Sequence, residues 1–308
     1  ANHAIKCLQE HAEKYPDRRF FEYLAFTVPH FPIQALPEDI AKHRETYRDG
    51  WDAVRARRYE RMKQLGLVTA ALSARDPVTV PGWNLADAVL QQRIGPEEIG
   101  HAVSWTELSP EQRRFQADKM AVHAAMVERM DFEIGRVLNQ VKAMNALDNT
   151  LILFLSDNGA SAEQIIRCDG HEPSAPAGSA KTFLGIGPGW STAANAPLRL
   201  HKSWVHEGGI ATPLIVHWPA RLAARGELRH NPGHLIDVVP TLLELAGGKK
   251  PAAWSAEPIP PAPGRSLAPL FTKDGAVSHD YLWWYHSDNR AIRIGDWKLV
   301  SKGVGGLW

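Results

Sequence analysis

The sequence predicts an α/β protein with a mixed, mostly parallel sheet flanked by helices, followed by the start of a small antiparallel unit. Three observations predict this fold. An apolar run, 151–155, is followed at once by Ser-Asp-Asn-Gly, as in a strand buried on both faces that ends in a turn. A long helical pattern after Ser109 leads directly into that run, which is the order found in parallel αβ units. Short strand-like runs between 281 and 300 then alternate with turn residues.

Length, charge and cysteine usage are those of an ordinary globular chain. The 308 residues carry 35 Lys and Arg against 34 Asp and Glu, a net charge of +1, which points to neither nucleic acid nor a membrane surface as partner. No apolar run approaches the roughly 20 residues of a membrane span, and Ala-Asn-His-Ala at the start is no signal peptide. Cys7 and Cys168 are interpreted as free thiols, with one disulfide as the alternative. Oligomeric state and compartment stay open.

The first part of the chain holds a helix and a second strand candidate. Residues 4–15 have the spacing of an amphipathic helix, which Pro16 ends. Residues 20–26 are aromatic and apolar, which indicates a second buried strand. His30 follows at the carboxyl end of that strand, between two prolines that stiffen the loop. A lone histidine there is more often structural than catalytic, but Asp157 holds the matching position after its own strand.

The middle of the chain holds the longest predicted helix. The range 37–67 is charged and helical, and 73–110 is interpreted as an extended loop with a short helix near 85–90, long enough to form the rim of a site. Ser109 is a good N-cap for the helix that begins at Pro110. Six apolar residues at helical spacing predict its core-facing stripe: Val127, Met130, Ile134, Val137, Val141 and Met144.

The turn after the central strand has two oxygen donors side by side. Open α/β sheets place their ligands at the carboxyl ends of strands, and Asp157 and Asn158 lie there. Carboxylate and amide oxygens suit a hard cation such as Ca²⁺ or Mg²⁺. From these residues alone, the alternative that Asn-Gly is simply a turn stays open.

The remainder of the chain is rich in loops. The range 159–200 is irregular, and its glycines at 185–189 lack the Gly-Lys-Ser/Thr ending and the following helix of a phosphate-binding loop. Lys202 and His206 precede a third strand candidate at 212–219. The elements predicted beyond it are a helix at 237–247, a linker at 249–264, and strands at 281–285, 291–294 and 297–300, the last two joined by a Gly-Asp hairpin turn.

Five stretches in this order resemble the sulfatase family of the alkaline-phosphatase superfamily, and bacterial-type arylsulfatases in particular. They are Phe-Thr-Val-Pro-His-Phe-Pro at 26–32, Asp-Gly-Trp-Asp at 49–52, Phe-Leu-Ser-Asp-Asn-Gly-Ala at 154–160, Lys202 through Glu-Gly-Gly at 207–209, and 291–299. The resemblance implies an alkaline-phosphatase-like fold. Residues 1–272 would then form the C-terminal portion of the α/β core, and 273–308 the beginning of a small antiparallel subdomain.

The resemblance also implies roles for four residues and a reaction, the hydrolysis of small-molecule sulfate esters. Asp157 and Asn158 match the family's metal-binding pair, which holds Ca²⁺, with Mg²⁺ as the alternative. His30 matches a histidine that contacts the sulfate group. Lys202 matches a lysine that contacts the sulfate and helps the alkoxide to depart, so both are expected to be catalytic. His206 is placed near the substrate by sequence without a firm role. The glycines after Glu207 are expected to permit a backbone conformation closed to other residues.

The sequence departs from the family in its nucleophile. Sulfatases use a formylglycine made from Cys or Ser in a Cys/Ser-x-Pro/Ala-x-Arg motif, and these 308 residues contain no such motif. Neither Cys7 nor Cys168 fits, and the run 174–178 has Gly where Arg is required. The paired aspartates that complete the family's metal shell are also missing. The sequence is therefore expected to be a sulfatase fragment that begins after the N-terminal part and stops inside the C-terminal subdomain.

Two other functions fit the same residues. A phosphoric or phosphonic ester hydrolase of the superfamily shares the metal-and-anion geometry, and its nucleophile is often Thr or Ser. A non-catalytic relative that binds a sulfated ligand, or serves a structural role, is the third hypothesis. The retention of His30, Asp157, Asn158 and Lys202 argues against a decayed site, and the stretch 202–209 favours a sulfatase.

The chain by itself is expected to bind Ca²⁺ weakly and to show no turnover, because the nucleophile and part of the metal shell are missing. Incubation with para-nitrophenyl sulfate and Ca²⁺ should release no nitrophenol above the buffer blank. Release in proportion to protein concentration would contradict this expectation.

Overall fold

The structure is a computed structural model that describes residues 1–167, 170–223, 225–255 and 257–303. Its helices are α1 (Asn2–Lys14), α2 (Pro37–His43), α3 (Gly50–Gln64), α4 (Asp87–Arg93), α5 (Pro110–Ala143), α6 (Gly187–Ala194), α7 (Glu207–Ile210) and α8 (Val238–Ala246). Its strands are β1 (Ile152–Leu155), β2 (Leu214–His217), β3 (Ala253–Trp254), β4 (Glu257–Pro258), β5 (Leu282–His286), β6 (Asn289–Ile294) and β7 (Trp297–Ser301). Within these ranges, no helix is both long and apolar enough to cross a bilayer.

Most predicted elements form where their local signals place them. Helix α5 begins as predicted, because the Ser109 hydroxyl accepts a hydrogen bond from the Gln112 backbone N–H at 3.2 Å. Helix α8 ends at Gly247, which has φ +68° and so supplies the left-handed cap. Strands β5, β6 and β7 form the small antiparallel sheet, and β6 and β7 are joined by the predicted Gly295-Asp296 turn. Cys7 is a free thiol, and Cys168 lies outside the described residues.

The strand pairing of β1 differs from the expected one. In the described ranges β1 pairs with β2, and the two strands run antiparallel, with Leu155 opposite Leu214. The cause lies in the long connection between them. The connection leaves the carboxyl end of β1 and comes back to that same end. There the Gly159 N–H donates to the Gly209 carbonyl at 3.0 Å. The strand that follows Gly209 must therefore run back along β1.

The aromatic segment at 20–26 is irregular and is not a buried strand. No ladder pairs it in the described residues, and the side chains of Phe21 and Tyr23 are 75% and 80% exposed. Phe20 and Leu24 nevertheless pack on the cluster that α1 and α5 form. The prediction was wrong because apolar content indicates a strand without supplying its hydrogen-bond partner.

The main core is built on an aromatic cluster that pins the long loops to α3 and α6. Trp51, Trp105 and Trp190 pack edge to face, with ring centroids 4.7, 5.7 and 5.9 Å apart. The Trp190 indole donates to the Gln116 carbonyl of α5 at 2.7 Å. The core-facing stripe of α5 was only partly correct. Val137 and Val141 are buried, but Val127 is exposed, and the first half of the helix buries Ala117, Ala121, Val122, Ala125 and Met126.

A fully buried ion pair crosses this core. The Lys119 ammonium of α5 donates to the two Glu98 oxygens at 2.7 and 2.9 Å, and the two side chains are 0% and 1% exposed. Gln116 donates to the same carboxylate at 2.9 Å. Burial lowers the pKa of Lys119, and the Glu98 charge opposes that shift. The pair therefore depends on both partners being present.

Glu98→Gln should destabilise the protein by about 3–5 kcal/mol, because it leaves the Lys119 charge buried and uncompensated. Urea denaturation measures the change. Glu60→Gln, which breaks an exposed pair with Lys63, is the matched control and should cost less than about 1 kcal/mol. Equal losses in the two variants would show that burial does not set the importance of the Lys119 pair.

Candidate active site

The structure brings together two of the predicted site residues that lie far apart in the sequence. The Lys202 ammonium nitrogen lies 2.9 Å from His30 Nε2, although 172 positions separate the residues. His30 is exposed, and Lys202 is partly buried. The two prolines that flank His30 both follow cis peptide bonds. Lys202 and His30 therefore form one polar pair at the surface.

The hydrogen bonds of this pair define the protonation of the neutral imidazole. His30 Nδ1 lies 2.8 Å from the Phe31 carbonyl oxygen, which can only accept, so Nδ1 carries the proton. Nε2 then has its lone pair directed at Lys202, whose ammonium group donates to it. The His30 ring also stacks on Phe31 with centroids 4.5 Å apart. Both the orientation and the tautomer of His30 are thus fixed.

Glu163 is a site residue that the sequence did not identify. Its carboxylate lies 3.8 Å from the Lys202 ammonium and accepts hydrogen bonds from Trp83 Nε1 and the Ser161 hydroxyl, each at 2.9 Å. Trp83 comes from the long loop that was predicted to form a site rim, and it does reach the site. Glu163 lies in an irregular segment with no flanking signal, so only the fold could place it beside Lys202.

The Asp157-Asn158 turn is docked against the segment that holds Lys202. The Lys202 backbone N–H donates to the Ala160 carbonyl at 3.1 Å. The Asn195 side chain binds both segments of this contact. Its amide oxygen accepts from the Ala160 N–H at 2.8 Å, and its amide nitrogen donates to the Leu200 carbonyl at 3.0 Å. The segment that follows the predicted metal pair is therefore hydrogen-bonded to the backbone of the predicted lysine.

Three glycines make this docking possible. A Cβ atom on Gly159 would collide with the Gly208 carbonyl oxygen. One on Gly208 would meet the carbonyls of Arg199 and Leu200, and one on Gly209 would meet that of Trp204. Neither Gly208 nor Gly209 has a positive φ. The expected reason for the paired glycines was therefore wrong, because they are needed for close backbone contact rather than for an unusual conformation.

The predicted metal ligands offer oxygens but not a complete shell. In the described part of the chain, neither the Asp157 carboxylate nor the Asn158 side-chain amide has a hydrogen-bond or ion-pair partner, so both can accept a cation. The same residues include no group of three His, Cys, Asp or Glu side chains arranged to hold a metal. Ca²⁺ takes six to eight oxygen ligands, so Asp157 and Asn158 supply only a part.

His206 immediately precedes helix α7, four residues after Lys202. The structure shows no polar contact of its ring with His30 or Lys202 within the described residues, and its Nδ1 is buried without a partner. Burial, reinforced by the charges of Arg199, Lys298 and Lys302, lowers its pKa to about 4. His206 is therefore neutral at pH 7. Its predicted contact with substrate remains a prediction.

His201, the residue before Lys202, is a buried neighbour that supports the segment. Its Nδ1 lies 2.5 Å from the Ser191 hydroxyl, which also donates to the Ala160 carbonyl at 3.2 Å. Burial lowers the pKa of His201 to about 4, so it too is neutral at pH 7. Ser191 and His201 together link α6, the turn after β1 and the Lys202 segment.

Comparison with known proteins gives the family of this chain. Residues 2–248 match the Sulfatase family model. The chain is 32% identical over 321 aligned positions to an uncharacterized sulfatase of Schizosaccharomyces pombe, covering 99% of this chain and 54% of the relative. It is 30% identical over 263 positions to an arylsulfatase of Klebsiella aerogenes, covering 81% of this chain and 51% of the relative. The crystal structure of Ps i-CgsB matches 97% of this chain and 44% of its own, with a TM-score of 0.55 and 22% identity.

The protein belongs to the sulfatase family. Its fold is the alkaline-phosphatase-like fold of its structural neighbours, with the small antiparallel sheet towards the C-terminus. The chain spans about half the length of the curated relatives it matches. The predicted resemblance is thereby confirmed, and the predicted division at residue 272 stays a prediction.

Gly208→Ala should destabilise the protein by about 2 kcal/mol or more, because its Cβ would press on two backbone carbonyls that cannot rotate away. Chemical denaturation measures this loss. Gly82→Ala is the control, since nothing lies within 4 Å of a Cβ there and its φ is ordinary. If both variants were equally stable, the close contact at Gly208 would not constrain the fold.

Proposed function

We propose that the protein acts in the hydrolysis of sulfate monoesters and that His30 and Lys202 bind the sulfate group. The observation that carries the proposal is the 2.9 Å contact between Lys202 Nζ and His30 Nε2. Two basic side chains from distant segments converge at an exposed point, and the backbone of Lys202 is hydrogen-bonded to Ala160, just after the Asp157-Asn158 turn. That arrangement suits an oxyanion with a cation next to it. Membership of the sulfatase family makes sulfate the favoured oxyanion over phosphate or phosphonate.

Lys202 is suited to holding the anion and stabilising the leaving group. An ammonium group has three donors, of which one is directed at His30 and two remain for sulfate oxygens. The carboxylate of Glu163, 3.8 Å away, orients the ammonium without forming a close pair with it. As the ester bond breaks, negative charge moves to the departing oxygen, and a lysine placed there lowers its energy.

His30 is suited to exchanging a hydrogen bond or a proton through one atom. Its Nδ1 is committed to the Phe31 carbonyl, so Nε2 is the atom that can face a substrate. A protonated Nε2 donates to a sulfate oxygen, and a neutral one accepts from Lys202. The stacked Phe31 ring keeps the imidazole in place during that exchange.

Asp157 and Asn158 are proposed to contribute two ligands to a Ca²⁺ ion, with Mg²⁺ as the alternative. Their side-chain oxygens have no partner in the described residues, which leaves them available. They do not complete a shell, so the roles of His30 and Lys202 are argued without the ion. The formylglycine of the family has no matching motif in the 308 residues, and the bond-forming attack is therefore not assigned to any of them.

The proposed substrate is a small sulfate ester. An arylsulfatase, steryl-sulfatases and an N-acetylgalactosamine-6-sulfatase are among the similar proteins, so aryl, alkyl and sugar sulfates all stay open as substrates. The loop that carries Trp83 to Glu163 forms one wall next to Lys202, and it is the segment best placed to contact the leaving group.

Lys202→Met should weaken the binding of inorganic sulfate at least about tenfold, because a hydrogen bond between charged groups contributes about 1.5–3 kcal/mol. His30→Ala should weaken it by a smaller factor. Isothermal titration at constant ionic strength measures both dissociation constants.

Lys181→Met is the matched control for these titrations. Lys181 forms an exposed pair with Glu172 and has no contact with His30 or Lys202, so sulfate affinity should not change. Equal affinity in the wild type and Lys202→Met would contradict the proposed site. Tighter binding of phosphate than of sulfate would favour the phosphoric or phosphonic ester hydrolase.

A further inference from the structure

The small C-terminal sheet reaches across to the segment that carries Lys202. Asn289, at the start of β6, donates from its side-chain amide to the Ser203 carbonyl at 3.0 Å. Lys298, on β7, donates to the Val205 carbonyl at 2.7 Å and to the Glu207 carboxylate at 2.5 Å. These contacts join residues more than 80 positions apart and engage the backbone immediately after Lys202.

The backbone in this segment is of a kind that needs external support. Ser203 has φ +86° and Leu200 has φ +64°, so non-glycine residues on both sides of Lys202 lie in the left-handed region. Such residues are strained and persist where their surroundings hold them. The Asn289 amide holds the carbonyl of Ser203 itself, and it does so from a buried position.

Lys298 is more buried and makes more contacts than a lysine that only covers the surface. Its side chain is 13% exposed, and its ammonium lies 5.0 Å from the centre of the Trp284 ring. Burial lowers the pKa of Lys298, and the hydrogen bond to Glu207 opposes the shift. The charge is therefore kept in a partly buried place by its contacts with Glu207 and the Val205 carbonyl.

The Lys202 segment is thus fixed from two sides. On one side the Lys202 N–H is bound to Ala160, next to the Asp157-Asn158 turn. On the other side Asn289 and Lys298 bind the next carbonyls along the chain. A shift of either contact would move the Lys202 Cα, and with it the position of the ammonium relative to His30.

We propose that Asn289 and Lys298 are positioning residues that set the placement of the Lys202 ammonium beside His30. The inference rests on the proposed function for the meaning of that placement, namely the binding of a sulfate group. It also gives a role to the stretch 291–299, because Lys298 in that stretch donates to Glu207 of the Glu-Gly-Gly turn. The small sheet is then part of the anion site rather than an independent appendage.

The test compares Lys298→Met with Lys302→Met. Lys302 also joins the C-terminal sheet to the core, through a 2.7 Å hydrogen bond to the Thr79 hydroxyl; it forms no hydrogen bond with residues 203–207, although its charge acts on His206. Two quantities are measured on each variant of the 308-residue chain: the sulfate dissociation constant, and the ¹H–¹⁵N resonance of the Lys202 ammonium, assigned by its loss in Lys202→Met. Lys298→Arg tests rescue, because a guanidinium retains donors for the Val205 carbonyl and for Glu207.

Lys298→Met should weaken sulfate binding roughly three- to tenfold, which is less than the loss expected for Lys202→Met. It should also shift the Lys202 ammonium resonance. Lys302→Met should leave both unchanged even where it lowers Tm, and Lys298→Arg should lie closer to the wild type than Lys298→Met. If Lys298→Met lowered Tm but moved neither quantity more than Lys302→Met does, the contacts would be structural only and the inference would be overturned.

Two further outcomes separate this inference from the proposed function. If the wild type binds no sulfate, the proposed function fails, and the ammonium resonance alone decides whether Lys298 positions Lys202. If Lys298→Met does not fold, Asn289→Ala, which removes the hydrogen bond to the Ser203 carbonyl, takes its place with the same expected shifts and the same contrary result.

Discussion

The close backbone contact between Gly159 and Gly208 is the constraint on which the rest of the site depends. No Cβ fits at either position, so the end of β1 and the Glu-Gly-Gly turn can approach until their backbones touch. That approach fixes the direction of β2 and places the Asp157-Asn158 turn beside Lys202. Without it, the two segments would be separated by at least the width of a side chain, and the predicted metal and anion residues would not share a site.

The same contact explains why the site is assembled from so many separate segments. His30 comes from a proline-flanked loop, Glu163 from the irregular stretch after β1, and Trp83 from the long loop before α4. His30 and Glu163 contact the Lys202 ammonium, and Trp83 is connected to it through Glu163. The C-terminal sheet adds Lys298 from the opposite side. Charge placement at the site therefore depends on loops whose positions are set by backbone docking and by the tryptophan core.

The sequence predicted local features well and long-range pairing poorly. The Ser109 cap, the Gly247 cap and the Gly295-Asp296 turn follow from side-chain chemistry within a few residues, and the structure confirms them. The antiparallel partner of β1 and the unpaired segment at 20–26 depend on where a distant part of the chain returns, which periodicity does not encode. His30 and Lys202 were identified through family resemblance, whereas Glu163 and Lys298 required the fold.

The central claim is that His30 and Lys202 form one hydrogen-bonded pair with a fixed proton arrangement. Long-range ¹H–¹⁵N correlation spectra of the His30 ring, recorded on the wild type and on Lys202→Met at a pH where the ring is neutral, test it most directly. We expect a protonated Nδ1 and an unprotonated Nε2 whose resonance changes when the lysine is removed. A protonated Nε2, or a ring unaffected by Lys202→Met, would contradict it.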